Sequence, residues 1–499
     1  MPLFRKVLVA NRGEIAVRVI RTCRVMGIPT VAVFSEADRG ARHVREADES
    51  MEIGPAEALR SYLSIDAVLE AARATGAEAV HPGYGFLSQN GDFADAVKDA
   101  GLVFVGPPGH VHRRMGDKRA ARRLMAAAGV PVLAGYDGDA QDDARLLAEA
   151  RRIGWPVMLK PSRGGGGKGM RVVRCEKDLA SALGASRREA TAAFGDDAMV
   201  LERFVERPRH VEVQVFGDGE GRIVHLGERE CSIQRRHQKI VEETPSPALA
   251  PARRESLCAA GVAAARAAGY VNAGTVEFLL DPDGAFTFLE MNTRLQVEHP
   301  VTEVVTGLDL VRLQLEVAAG RPLRLRPEDA LPRGHALECR IYAEDPENDD
   351  LPSPGRVLHL AEPEGPGVRC DSGLAPGAEV TVHYDPLLAK IVTGGFDRAE
   401  AIERMREALR STVVLGVVTN LARLRSIVEH PAFAAGELHT GFIEEHLGEL
   451  TPRPCPPLEA IAAAAAALRT ERRGPASPAP HSVPDPWSTL GAWRLGEGS

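Results

Sequence analysis

Cysteine is sparse in this 499-residue chain and is not arranged into any pattern. Seven are scattered (Cys23, Cys175, Cys231, Cys258, Cys339, Cys370 and Cys455), the count is odd, and no two form a CxxC pair. That argues against a disulfide framework or a zinc knuckle and fits a reducing, cytoplasmic setting. No apolar run reaches the roughly 18 residues of a membrane span. Met1 to Lys6 has no apolar signal core, and Ile461 to Leu468 is short and Ala-dominated and reads as a helix. Positive charge is in deficit, with a net charge of −8, which argues against a general nucleic-acid binder. Two nucleotide signatures are missing as well. No GxGxxG follows the first predicted strand, and Lys168 is followed by Gly169 rather than Ser or Thr, so the glycine run before it is not a Walker A loop.

What the chain does contain is alternation. Val7 to Ala10 reads as a buried strand, Asn11 to about Gly27 as a turn and helix, and Thr30 to Phe34 as a second strand. Ile65 to Thr75 reads as helix, and Ala79-Val80 and Leu102 to Val105 as strands. This rhythm predicts a parallel sheet with helices on both faces. A helix over about Asp117 to Ala128 and strands at Pro156 to Lys160 and Met170 to Val173 follow. Val200 to Glu298 reads as period-two strands and hairpins, and Leu308 to Ala319 as helix. Gly334 to Tyr342 opens a strand-rich segment that closes in helices at about Arg398 to Arg410 and Asn420 to Glu429. The expected fold mixes α/β and α+β, in about three domains at roughly 150 residues each. The expected divisions are 1–115, 116–330 and 331–447, with an Ala-helix and Pro-rich tail over 448–499.

Several groups of residues carry chemistry. Gly164 to Gly167, followed by Lys168, lies between two predicted strands. Consecutive glycines let backbone N–H groups turn towards an anion, although a flexible hairpin is the plainer reading. Thr275 to Leu280 runs into Asp281-Pro282-Asp283-Gly284, and Ala285 to Asn292 runs back. Pairing Leu280 with Ala285 makes Glu277 and Glu290 diagonal neighbours on one face, with Asn292 beside them. Such oxygen donors suit Mg²⁺ or Mn²⁺ bridging phosphates; a solvated hairpin face is the alternative. If the strand stays extended, Asn292, Arg294, Gln296 and Glu298 share a face until His299-Pro300 ends it. That places a cation beside a candidate base, or else forms an edge-strand salt-bridge ladder. The stretch Cys231 to Lys239, with its basic run, reads in isolation as a solvated face or an RNA patch, and no aromatics interleave it. His81 to Ser88 follows a predicted strand, where parallel sheets bind ligands; a Pro-Gly turn with a packed Tyr84 fits equally.

Together these motifs resemble the biotin carboxylase family over roughly Pro2 to Leu447. The resemblance rests on Ala10 to Ala16, His81 to Ser88, Met115 to Lys118, the tetraglycine loop, Gln234 to Lys239, and above all Glu290 to Pro300. The last string separates biotin carboxylases from most other ATP-grasp ligases; carbamoyl-phosphate synthetases share the fold but not this run. The resemblance implies a Rossmann-like N-terminal domain, an ATP-grasp domain with a lid at about 131–204, and a C-terminal biotin carboxylase domain. It implies that Lys118, Lys160 and His210 hold phosphates and ribose and that Gly166 and Gly167 belong to the lid. Glu202 to Val205 would line the adenine slot, with Gln234 and His237 facing the nucleotide. Glu277, Glu290 and Asn292 would ligate a pair of Mg²⁺ or Mn²⁺ ions. Lys239, Arg294, Gln296 and Val297 would bind bicarbonate, Glu298 would be the general base, and Arg340 would stabilise the biotin enolate with Tyr84 nearby. The activity implied is ATP- and bicarbonate-dependent carboxylation of biotin through carboxyphosphate, catalysed mostly by positioning and electrostatics.

The chain also departs from the family. Gln89 stands where many members have Glu, which removes a charge pair. Arg163 and Tyr384 to Lys390 resemble the methylcrotonyl- or propionyl-CoA carboxylase branch, whereas Leu351 to Gly355 is closer to the acetyl-CoA branch. No Lys lies beyond Lys390 and none is flanked by Met, so the carrier biotin and the carboxyltransferase are expected on other chains. The family implies a homodimer, and Pro452 to Ser499 is expected to dock a partner subunit. The competing functions are another ATP-grasp carboxylate ligase, a catalytically silent assembly subunit, and an RNA-binding module. Intact Lys239, Arg294, Glu298 and Arg340 speak against the silent subunit. Neither nucleic acid nor membrane is expected as a partner.

Overall fold

Val7-Leu8-Val9 is fully buried and forms the centre of a five-stranded parallel sheet. Its order is Glu49–Glu52, Thr30–Phe34, Val7–Val9, Ala79–His81 and Val103–Phe104. Apolar runs buried on both faces suit parallel strands, and the helices Gly13–Val25 and Ile65–Thr75 lie between them in sequence. Strand order reverses at Val7–Val9 and Ala79–His81, so the segments after both strands open on one crevice. Asn11 ties those segments together by donating from Nδ2 to the carbonyls of Pro82 and Tyr84, each at 2.7 Å.

The computed structural model describes residues 3–450 apart from 165, 166 and 168, together with Ala460, Ala462, Ala463 and Ala466, which are helical. Gly166 and most of the 448–499 tail, including the linker expected at Gly474 to Pro486, therefore lie outside the described residues.

A four-stranded sheet follows in the order Gly135–Tyr136, Met199–Arg203, Val157–Pro161 and Arg171–Val173. Val157, Leu159, Val173, Met199 and Leu201 pack with Leu179 and Leu183 from the helix Glu176–Phe194. The largest sheet has eight antiparallel strands. Their order is Phe286–Asn292, Asn272–Leu280, Arg209–Gly217, Ile223–Arg235, Gln238–Thr244, His335–Tyr342, Leu387–Gly395 and Val368–Ser372. The expected division at residue 330 falls inside this sheet: Val241 to Thr244 pairs with Cys339 to Ala336.

One expectation fails here. The period-two pattern over Val200 to Glu298 is interrupted by an 18-residue helix, Pro251–Ala268. Pro251 occupies the first turn, where a missing N–H is tolerated, and Ala-rich sequence favours the helix. Gly269 closes it in the left-handed region at φ 65°.

Candidate active site

The hairpin of Asn272–Leu280 and Phe286–Asn292 differs from the simplest register. Asp281 donates its N–H to Ala285, so Leu280 pairs with Phe286 rather than with Ala285. Phe278 faces Phe288, and a bulge then shifts the register so that Glu277 lies directly opposite Glu290 and Thr275 opposite Asn292. The expected diagonal placement is thus replaced by direct opposition, because Leu289 is an extra residue on its strand. Like charges directly opposite repel, and a hard cation between them relieves that repulsion. Glu277, Glu290 and Asn292 offer the oxygen donors that Mg²⁺ or Mn²⁺ takes, so these residues fit such an ion. Glu277 Oε1 accepts from Lys239 Nζ at 2.7 Å, Asn292 Nδ2 at 2.8 Å and Gln296 Nε2 at 3.0 Å. Its other oxygen meets His210 Nε2 at 2.8 Å. Burial pushes this carboxyl up, but Lys239 and His210 outweigh it and hold it far below the ordinary range.

The strand stops at Asn292 instead of running on to Glu298. Arg294 lies in a bend, Val297 and Glu298 form a turn, and the helix His299–Thr306 starts with Pro300 in its first turn. Pro300 therefore begins a helix rather than ending a strand. The side chains still converge. Arg294 donates to Gln296 Oε1 at 2.5 Å and to Asn292 Oδ1 at 3.3 Å. Glu298 is 1% exposed, with Oε1 2.7 Å from Lys239 Nζ and Oε2 2.9 Å from Arg340 Nη2. Burial favours its protonated form, yet Lys239, Arg340 and Arg229 prevail and hold it well below the usual carboxylate range. It is an anion at neutral pH, clamped between two cations.

Three buried partners of this cluster are absent from the sequence reading. Glu212 takes Lys239 Nζ at 2.5 Å on one oxygen and Arg229 Nε at 2.5 Å on the other. Arg229 is fully buried and also bonds Gln214, Thr302 and Thr275. Glu242, likewise fully buried, pairs with Arg340, and burial pushes its carboxyl up despite that partner. Charged residues also run together on these strands, as Glu228-Arg229-Glu230 and Glu242-Glu243, a pattern that reads as solvent-facing unless both sheet faces are known to be covered.

The residues expected at a nucleotide line the same space. Lys118 opens the helix Lys118–Ala127, and its Nζ donates to the Gly164 carbonyl. Burial holds its ammonium below the ordinary value, with Glu290 working against that. Lys160 Nζ lies 2.5 Å from Glu202, which also pairs with Arg122 at 3.1 Å. Gln234 Nε2 lies 3.5 Å from His210 Nδ1. Arg236 and His237 form a two-residue hairpin turn with φ of 48° and 66°. Burial pushes His237 below its ordinary value, which favours the neutral ring. A Cβ at Gly167 would lie 2.8 Å from His237 Cδ2, so only glycine lets the loop approach this closely. Val205 is buried beside them, and Tyr84 stands at the crevice of the parallel sheet with Lys390 Nζ 5.8 Å from its ring centroid. The expected site residues among the described ones all line one cavity of about 1590 Å³.

Gln89 is part of the site too. Arg294 Nε donates to its Oε1 at 2.8 Å, and its own amide reaches Asn292 Oδ1 at 3.4 Å.

Residues 3–111 match the family description "Biotin carboxylase, N-terminal domain", and residues 338–445 match "Biotin carboxylase C-terminal domain". Residues 117–326 match "Carbamoyl-phosphate synthase L chain, ATP binding domain". The rat mitochondrial methylcrotonoyl-CoA carboxylase subunit alpha is 52% identical over 448 residues, covering 90% of this chain. The chain spans 63% of that relative's length. A biotin carboxylase from Allochromatium vinosum is 51% identical over 89% of this chain and 99% of its own. Among solved structures, the biotin carboxylase domain dimer of Hydrogenobacter thermophilus 2-oxoglutarate carboxylase, in complex with MgADP, ADP and bicarbonate, has a TM-score of 0.88 at 44% identity. The similarity covers 90% of this chain and 99% of that one.

Proposed function

The chain belongs to the biotin carboxylase family, and from that premise we propose that it carboxylates biotin held on a separate carrier, using ATP and bicarbonate. The observation that carries this reading is Glu298, an ionised carboxylate held between Lys239 and Arg340 in the cavity that also contains Glu277 and Glu290. A phosphate-side metal set and a base flanked by cations are thereby joined in one space.

In this reading Lys239, Arg294, Gln296 and the Val297 backbone hold bicarbonate, and Glu298 takes its proton as a bicarbonate oxygen attacks the γ-phosphorus. ADP leaves and carboxyphosphate forms. Lys118, Lys160 and His210 hold phosphates and ribose, and Glu202 to Val205, Gln234 and His237 border the base and sugar. Mg²⁺ or Mn²⁺ held by Glu277, Glu290 and Asn292 would neutralise phosphate charge. Carboxyphosphate breaks down to CO₂ and phosphate, which removes the proton from the biotin ureido nitrogen. Arg340, permanently charged, stabilises the resulting oxyanion, with Tyr84 beside it.

The domain division at 115, 330 and 447, with a lid over about 131–204, belongs to the same proposal; Gly167 pressed against His237 supports a lid that reaches the nucleotide. So do a homodimer, a carrier and a carboxyltransferase on other chains, supported by the dimeric structure and the subunit relatives. Among the described residues no helix is long and apolar enough to cross a membrane. A cytoplasmic setting is supported by the scattered cysteines, although the rat relative is mitochondrial.

The test is phosphate release from ATP with Mg²⁺ and bicarbonate, with and without free biotin. Biotin-stimulated release that requires bicarbonate and falls by roughly 10²–10⁴-fold in Glu298→Gln is expected. Release indifferent to biotin would instead indicate a different ATP-grasp ligase.

A further inference from the structure

The cations around the cavity are not equally neutralised. Lys239 touches three carboxylates, and Arg340 touches two. Arg294 differs: its hydrogen bonds go to Gln89 Oε1 at 2.8 Å, Leu295 O at 3.1 Å, Gln296 Oε1 at 2.5 Å and Asn292 Oδ1 at 3.3 Å. Every one of these acceptors is a neutral oxygen. Burial lowers the guanidinium's affinity for its proton, while Glu298, Glu277 and Glu290 act on it from a distance. The side chain is held in place without its charge being cancelled by contact.

We propose that Gln89 is a positioning residue that fixes Arg294 through a neutral acceptor and so leaves its charge available to an incoming oxyanion of the bicarbonate class. This rests on the functional reading above and assigns a role to a residue of the N-terminal sheet crevice. The amide does two things that a carboxylate at the same place would not. Its oxygen takes Arg294 Nε without supplying a counter-charge, and its N–H₂ faces Asn292 Oδ1, which a carboxylate oxygen would repel. A shorter or apolar side chain would free Arg294 Nε and let the guanidinium swing. Gln89 is exposed, so a carboxylate there is accommodated without disturbing the fold.

The experiment compares wild type, Gln89→Glu and Gln89→Met in the full chain. Two readouts are used: KM for bicarbonate against KM for ATP in phosphate release, and line broadening of ¹³C-bicarbonate by NMR. Gln89→Glu is expected to weaken bicarbonate roughly fivefold at low ionic strength in both readouts, because an exposed pair is screened. The loss shrinks as salt rises, and KM for ATP changes less than KM for bicarbonate. Gln89→Met is expected to raise KM for bicarbonate without that salt dependence. Bicarbonate binding and KM in Gln89→Glu equal to wild type would overturn the inference while leaving the carboxylase reading intact. A wild type that neither binds bicarbonate nor needs it would overturn both. Equal changes in every KM, with a lowered melting temperature, would mark Gln89 as structural only and also overturn it.

Discussion

Two sheets border the cavity, and they hold charge in different ways. The eight-stranded sheet and the turn at Glu298 beside it hold an interlocked set in which Arg229, Glu212, Lys239, Glu277, Glu298 and Arg340 each touch at least one other member. The four-stranded sheet packs an apolar core and contributes Lys160 and Glu202 to the cavity as a short chain of charge, with Arg122 of the helix Lys118–Ala127 behind Glu202. An interlocked set fixes every group, because moving one leaves another buried and unpaired. A short chain can change partner when a ligand arrives. The difference teaches that the groups around Glu298 are locked by one another, while Lys160 is held by a single carboxylate, Glu202.

That contrast can be broken or sharpened by substitution. The largest effect is expected from Arg229→Met, which strips Glu212 of its fully buried partner. A loss of about 3–5 kcal/mol in chemical denaturation is expected. A neutral result would show that the interlocked set does not act as a unit. Lys160→Met should be milder for the fold and more selective for function: KM for ATP rises roughly tenfold, the denaturation midpoint falls less than in Arg229→Met, and KM for bicarbonate stays put. An equal loss of stability would erase the distinction between the sheets. The smallest effect tests where the larger sheet compensates an acid incompletely. Lys390 on that sheet lies 3.2 Å from Glu14, yet burial still pushes the Glu14 carboxyl from 4.5 to about 7. The folded state thus holds this proton more tightly than the unfolded chain. Stability from that proton is full below 4.5 and is lost as pH rises through about 7. Glu14→Gln should flatten the fall in melting temperature across that window, and an unchanged slope would remove Glu14 as its source.

Much of this site was legible because strand periodicity places alternate residues together. Glu277, Glu290 and Asn292 share a face for that reason, and the parallel crevice at Tyr84 follows from buried apolar runs. The direct opposition of Glu277 and Glu290 was not legible, since it depends on a bulge at Leu289 that no residue type there announces. Nor was the end of the strand at Asn292, because Asn292 to Glu298 alternates as well as any strand and only Pro300 marks the helix that follows. The helix Pro251–Ala268 was hidden between strong strand patterns. Arg229, Glu212 and Glu242 were missed because charge on a strand, whether alternating as at His210, Glu212 and Gln214 or consecutive as at Glu228-Arg229-Glu230, implies solvent until a second layer is known to cover it.

The pairing of Gln238–Thr244 with His335–Tyr342 has a mechanical consequence. Lys239 sits on the first strand and Arg340 on the second, both just past the paired stretch of Val241 to Thr244 with Cys339 to Ala336, and Glu298 bridges them at 2.7 and 2.9 Å. None of the three residues lies on the four-stranded sheet, so a displacement of that sheet would not by itself carry the bridge with it. Lys239, Glu298 and Arg340 thus act as a gauge block within the fold, whatever the four-stranded sheet does.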